Sequence, residues 1–275
     1  MEQTEIENLK PINYKWRILD ATMLKLLAAA LMLLDHIHQM FVHVGAPIWL
    51  TMAGRLVFPI FLFAASESFY YTHSKQRYLK RLLFASWGMT AFTLLLQKIV
   101  PNENVVLMNN AFSTFFLAGL YMLLWDYFVE GVHKKETKQV IKAIFYCFIP
   151  FLGALPLYLA TILSFNENVS ISVIRLLITA SFFVPNILSV EGGYSMVALG
   201  VAFYIFRNHR LVQIAALLIL SGIVYMVGGG IQWMMCFAAI PILMYNHKRG
   251  RGMKNFFYIF YPAHIGLLYI LSAAL

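Results

Sequence analysis

The chain has 275 residues, of which 61% are hydrophobic and 12% charged, about half the charged share of an ordinary soluble domain. That composition excludes a chain built around one soluble core. The net charge of +9 is what the loop bias of a multi-spanning membrane protein produces, so it does not call for a nucleic-acid partner.

Residues 1–21 are polar, carry Glu2, Glu5, Glu7, Lys10, Lys15 and Arg17, and read as a cytoplasmic tail. The apolar run behind them is too long for a signal-peptide core, so no cleaved leader is expected. Apolar runs then follow at 22–44, 48–72, 78–97, 110–129, 140–163, 171–188, 194–206, 211–228, 230–246 and 255–274. A crossing needs about 20 apolar residues, which predicts an all-α polytopic transmembrane bundle of ten helical segments, folded as a single membrane domain over 22–275.

The first run is the most polar inside. Its stretch MLLDHIHQMFVH, Met32 to His43, holds Asp35, His36, His38, Gln39 and His43. At 3.6 residues per turn His36, Gln39 and His43 share one face, and Asp35, His38 and Gln39 form a stripe beside it. After a turn around Gly45 to Pro47, the second run carries Arg55 in GRLVFPIF. Counting from that turn puts His36 and Arg55 both about 13 Å below it, so an Asp, a His and an Arg can meet at one level. A charge at the centre of a membrane helix costs about 2.5–3.5 kcal/mol, so these residues face a partner or a wet cavity.

Glu67, in AASESFYY, falls near the inner end of the second run. The third run opens on KQRYLKRLL, where Arg77, Lys80 and Arg81 are placed to hold nucleotide phosphates or, alternatively, only to fix topology. Asp126, Cys147 and Cys236 lie in later apolar runs, the cysteines as small hydrophobic residues. Between 171 and 206, Pro185, Gly192 and Gly193 interrupt the apolar pattern, and Arg175 is positioned to pair with Glu191 unless Glu191 is solvated. The last run carries His264 near its middle, one turn after Pro262. It is read as a second polar wall of the cavity or as a packed core histidine.

Basic residues fix the topology. Five clusters, Lys10/Lys15/Arg17/Lys25, Lys75/Arg77/Lys80/Arg81, Lys134/Lys135/Lys138/Lys142, Arg207/Arg210 and Lys248/Arg249/Arg251/Lys254, hold 18 of the 21 Lys and Arg residues. With the N-terminus cytoplasmic, all five lie inside only if 165–206 crosses once, which predicts nine net crossings and a half-spanning segment. Broken helices at membrane depth occur where they are packed in protein or line a cavity.

The chemistry of the first hairpin suits acyl transfer. A histidine deprotonates an acceptor or takes the acyl group, an aspartate orients the imidazole, and an arginine offsets oxyanion charge. Adjacent Asp35 and His36 point about 100° apart, however, so the carboxylate can serve His38 or Arg55 instead. The plainer alternative is an Asp35–Arg55 pair that only fastens two helices. No two histidines stand four apart, which argues against a metal site.

The stretches KLLAAALMLLDHI, AGRLVFPIFLFAASE, RYLKRLLFASW, NNAFSTFFLAGL, GGYSMVALGVAFYIFR and KNFFYIFYPAHIGLLYI resemble, in order from Lys25 to Ile270, successive blocks of the TraX family. That family is named after a conjugation protein that acetylates the N-terminus of F-type pilin, and it is similar to the wider membrane acyltransferases. The resemblance implies a cell-membrane enzyme using acetyl-CoA as co-substrate, with His36 and Arg55 as its working pair, and as acceptor a peptide, pilin, glycan or lipid offering an amine or hydroxyl. Ser68 stands where the family usually has glycine, and Glu191 to Tyr194 replaces a usual Asp-Tyr-Gly, which leaves the acceptor open. A transporter or lipid-handling protein, and a non-catalytic assembly factor, are the competing readings.

Overall fold

A computed structural model describes residues 15–166 and 168–275; Glu2, Glu5, Glu7 and Lys10 lie outside the described residues. Every regular element among the described residues is helical. Six helices are long and apolar enough to cross a membrane and four apolar ones are shorter, so the ten-segment all-α bundle forms.

Helix α1 (Ala21–Phe41) starts on Asp20, whose carboxylate accepts the Thr22 and Met23 backbone N–H groups. It ends in a 3₁₀ turn, Val42–Val44, closed by Gly45 at φ +92°. The second run is not one helix. It divides into α2 (Trp49–Gly54) and α3 (Val57–Tyr70), with the break at Arg55 and Leu56. The cause is Pro59, which has no N–H for the Arg55 carbonyl and whose ring crowds that carbonyl four residues back.

Next come α4 (Lys75–Ile99), capped by Ser74, and α5 (Ala111–His133). The run predicted at 140–163 divides into α6 (Thr137–Cys147), α7 (Ile149–Leu152) and α8 (Leu155–Leu163), because Pro150 and Pro156 each remove a bond of the same kind. Two short helices follow, α9 (Ile171–Phe183) and α10 (Gly193–Ile205), and then α11 (Arg210–Met226). The segment predicted as a helix at 230–246 is instead a 3₁₀ stretch, Gly230–Ala238, running into α12 (Ala239–Leu243). A 3₁₀ helix rises about 2 Å per residue, so these few residues reach about 25 Å. The last helix is α13 (Lys254–Ala273), with Pro262 inside it.

The levels of these helices follow from their hydrogen bonds. Trp87 Nε1 and Thr90 Oγ1, halfway along α4, donate to the Phe183 and Phe182 carbonyls at 2.7 and 3.2 Å, so α9 stops at mid-height. Tyr204, at the far end of α10, donates to Asp126, which pairs with Lys75 at the first residue of α4. Helices α9 and α10 therefore make one crossing between them, with the irregular stretch 184–192 at the level of mid-α4. Helix α5 also begins at this level: Asn110, its N-cap, donates to Ser86 O, Ser86 Oγ and Thr90 Oγ1 at 3.0–3.1 Å.

The result is nine crossings from ten segments. The start of α1 is laced to the α12–α13 loop by Thr22 Oγ1 on Arg249 O and Arg251 O, and Arg210 meets His247. The described members of the five basic clusters are thereby gathered at one end. Single cysteines at Lys138 and at Arg249, in a chain whose Cys147 and Cys236 are serine, are expected to react with an impermeant maleimide from the same side, and one at Asn166 from the other. Labelling of Lys138 and Arg249 positions from opposite sides would refute the count.

Without water to drive apolar groups together, membrane helices associate by close packing, often at small residues. Gly200 of α10 sits against Leu62 and Ala118, where an added Cβ would meet Leu62 at 3.0 Å. Gly54 of α2 faces Asp35 of α1 more closely still, a Cβ there falling 2.3 Å from the Asp35 Cβ. One apolar cluster joins Leu24, Phe63, Leu117, Phe203 and Leu217, and a second joins Met40, Val57, Ile265 and Tyr269.

Candidate functional site

A cavity of about 1280 Å³ runs through the bundle, and polar groups are concentrated at its two ends. Asp35, His36, His38, Gln39, Arg55, Gln232 and Glu191 line the end toward the Gly45 turn. Gln39 is at once cavity wall and exposed, so the cavity reaches the surface there. Phe58, Phe61, Phe115 and Phe257 line its apolar middle, and Lys25, Arg81, Arg249 and Arg251 line the end where the basic clusters gather.

The kink at Pro59 aims Arg55 at α1. Arg55 Nη2 donates to Asp35 Oδ1 at 2.7 Å and to Thr51 Oγ1 at 2.6 Å, while Thr51 Oγ1 donates to the same Asp35 oxygen at 2.5 Å. Arg55 Nε donates to the Thr51 carbonyl at 3.1 Å and Nη1 to Gln232 Oε1 at 3.0 Å. A guanidinium has five N–H bonds, so among the described residues one hydrogen on Nη1 keeps no protein acceptor. Of the choices open to Asp35, the fold takes Arg55. The carboxylate does not orient His36.

That task falls to His264. His36 and His264 are buried, 3% and 6% exposed, with His36 Nδ1 and His264 Nε2 2.6 Å apart and the rings stacked at 20°. His264 Nδ1 lies 2.6 Å from the Phe260 carbonyl, which can only accept, so Nδ1 carries the hydrogen and Nε2 of the neutral ring is bare. His36 Nδ1 must then donate to it, which leaves His36 Nε2 as a lone pair. The Asn109 amide, 3.4 Å away, is its neighbour. A chain from the Phe260 carbonyl through two imidazoles thus fixes one basic nitrogen.

The surrounding groups hold this pair in place. Asn109 and Gln39 exchange two amide bonds at 3.1 and 3.2 Å, so His36 and Gln39 do share a face, whereas His43 is exposed in the turn. His38 lines the cavity and sits 3.1 Å from the Pro47 carbonyl. Glu191 does not pair with Arg175, which is exposed on α9. Its Oε2 accepts the Asn110 backbone N–H at 2.8 Å and lies 3.4 Å from the Tyr261 hydroxyl, one turn of α13 before His264. Thr51, Gln232, Asn109 and Tyr261 were not singled out in the sequence, where the available signal was only a polar residue inside or bordering an apolar run.

At the other end Glu67 is buried in the field of Arg210 and Arg207, with Tyr245 beside it. Lys25 Nζ donates to Ser68 Oγ at 3.0 Å, so the serine standing where glycine is usual gives this lysine an acceptor. Of the three inner basic residues named from the sequence, Arg81 borders the cavity, 5.9 Å over the Tyr78 ring; Arg77 and Lys80 are exposed on α4 outside the cavity wall. Among the described residues no three His, Cys, Asp or Glu side chains converge as a metal cage.

A family model described as TraX protein matches residues 20–153 and 150–272. No curated protein and no solved structure matches the chain.

Proposed function

The chain belongs to the TraX family, and we propose that it is an integral membrane acyltransferase moving an acetyl or related acyl group from acyl-CoA to an amine or hydroxyl acceptor, such as a pilin or other peptide N-terminus. The observation that carries this reading is the basic His36 Nε2, set by the His264 and Phe260 chain and facing a cavity that also presents a free Arg55 N–H. The cavity supports it too: about 21 Å of α1 separates Thr22 at one end from His36, and the apolar wall between suits the extended arm of a coenzyme thioester.

In the reaction, His36 Nε2 takes the acceptor's N–H or O–H proton as the acceptor lone pair attacks the thioester carbonyl. The C–N or C–O bond forms, the C–S bond breaks, and the departing thiolate takes the proton back from the His36 imidazolium. Arg55, held on Asp35, Thr51 and Gln232, directs its remaining Nη1 hydrogen at the oxygen that gains charge. His264 is a positioning residue, keeping the His36 hydrogen on Nδ1 so that Nε2 stays basic.

Purified protein in neutral-lipid nanodiscs, given radiolabelled acetyl-CoA and a membrane extract, is expected to transfer label to an acceptor. No CoA binding and no labelled product would overturn the reading. A cavity reaching both ends of the bundle is also the feature that favours a transporter. Solute flux that survives in His36→Gln, with no acyl product from wild type, would decide for that alternative.

A further inference from the structure

Among the described residues, the inner end of the cavity gathers four cations for which the cavity wall supplies no ion-pair partner. Lys25, Arg81, Arg249 and Arg251 face it, and Lys25 stands in the field of Arg249 with a neutral serine as its acceptor. Of the carboxylates in the cavity wall among the described residues, Asp35 and Glu191 lie at the far end, and Glu67 is engaged by Arg210 and Arg207. Like charges gathered at a half-enclosed opening repel unless an anion comes between them.

The stretch 246–253 that carries two of these arginines is laid across the opening as a strap. Its first part runs beside residues 19–21, with Asn246 N on Leu19 O at 2.8 Å and Ala21 N on Lys248 O at 2.9 Å. Thr22 Oγ1 then holds the Arg251 carbonyl at 2.6 Å. Gly250, at φ +68°, passes so near Asp20 that a Cβ would fall 2.4 Å from its carboxylate, so the strap's path depends on this glycine. His247 in the strap stands among other arginines: burial, then the charges of Arg210, Arg17 and Arg207, push its imidazole down to about 4. Tyr78, with Arg81 over its ring, and Tyr258 stand in the same wall.

We propose that the 246–253 strap, with Lys25 and Arg81, binds the diphosphate of an adenine nucleotide, and that Tyr78 and Tyr258 offer ring faces to its base. Guanidinium groups match phosphate oxygens bidentately, and aromatic faces accept a purine whatever its edge contacts. The cations all border the cavity, and two aromatic rings stand in the same wall, a pairing that suits a nucleotide better than a lipid phosphate. The proposal rests on the acyl-CoA reading, where this nucleotide is the handle of the donor.

The test is binding, separate from turnover, in neutral-lipid nanodiscs with ADP and unacylated CoA as probes. Wild type is expected to bind both, more weakly as salt rises, and His36→Gln to bind like wild type. Arg249→Gln/Arg251→Gln is expected to weaken both by about tenfold or more, as loss of charged hydrogen bonds implies, and Arg249→Lys/Arg251→Lys to recover part of it. An unliganded melting temperature equal to wild type keeps a folding defect from imitating the result. Binding by a stably folded double glutamine variant within about twofold of wild type would overturn the site while leaving acyl transfer standing. Displacement by short-chain phosphatidylglycerol with no binding of ADP would assign the phosphate to lipid and overturn it as well. Failure of wild type to bind CoA at all would instead strike the acyl-CoA reading.

Discussion

His36→Gln is expected to lower acyl transfer by about 10²- to 10⁴-fold, the usual worth of a general base, with CoA binding unchanged. Glutamine keeps a polar group of similar reach but offers no nitrogen able to take and return a proton. The fold keeps its other contacts: Asn109 still has Gln39, and Asp35 still has Arg55. His264→Gln removes no group that meets the acceptor, yet it frees the His36 ring to rotate and to change tautomer. A misplaced catalytic group costs about 10²-fold, so kcat is expected to fall by that order while KM for the acyl donor stays put. Equal loss in kcat and donor KM would mean that His264 shapes the cavity and does not aim His36. Full activity in His36→Gln would remove the mechanism.

Gly54→Ala is expected to damage the protein more than its single added methyl suggests. That Cβ would lie 2.3 Å from the Asp35 Cβ and 2.4 Å from its Cγ, atoms at the stiff base of the side chain that cannot swing away. Either α2 backs off from α1 or Asp35 leaves its rotamer, and overpacking of this kind costs about 1–3 kcal/mol. Both outcomes pull the Asp35 carboxylate from Arg55 and Thr51, so acyl transfer is expected to fall together with thermal stability. Gly88→Ala provides the control. A Cβ on Gly88 of α4 meets nothing within 4 Å, and alanine there should hold or raise stability by up to about 1 kcal/mol. If both variants melt alike, the close approach of α1 and α2 is not what holds the Asp35–Arg55 pair.

Legibility in the sequence divides along physical lines. The depth count that brought Asp35, His36 and Arg55 to one level needed only helical rise and a short turn, and the Asp35–Arg55 bond of 2.7 Å bears out that pair. The single crossing over 165–206 came from the placement of basic residues, and the bonds of Trp87 and Thr90 show how it is made. The breaks at Arg55 and Phe148 were also written in the chain, since Pro59 and Pro150 each disable a carbonyl four residues back. A hydropathy run simply does not register a lost hydrogen bond. The His36–His264 contact was hidden for a different reason: 228 residues separate the two, and no periodicity reports on tertiary neighbours. The same holds for Arg249 and Arg251. A basic loop after a membrane helix looks topogenic until the folded chain shows which way it faces.

Because α5 begins at mid-height while α9 and α10 share one crossing, the bundle has one helix wall fewer toward the Gly45 turn than toward the basic clusters. On the acyl-transfer reading, a bulky acceptor would reach His36 from the side with the missing wall and a slender donor from the other, so that the two would not have to pass each other in a common channel.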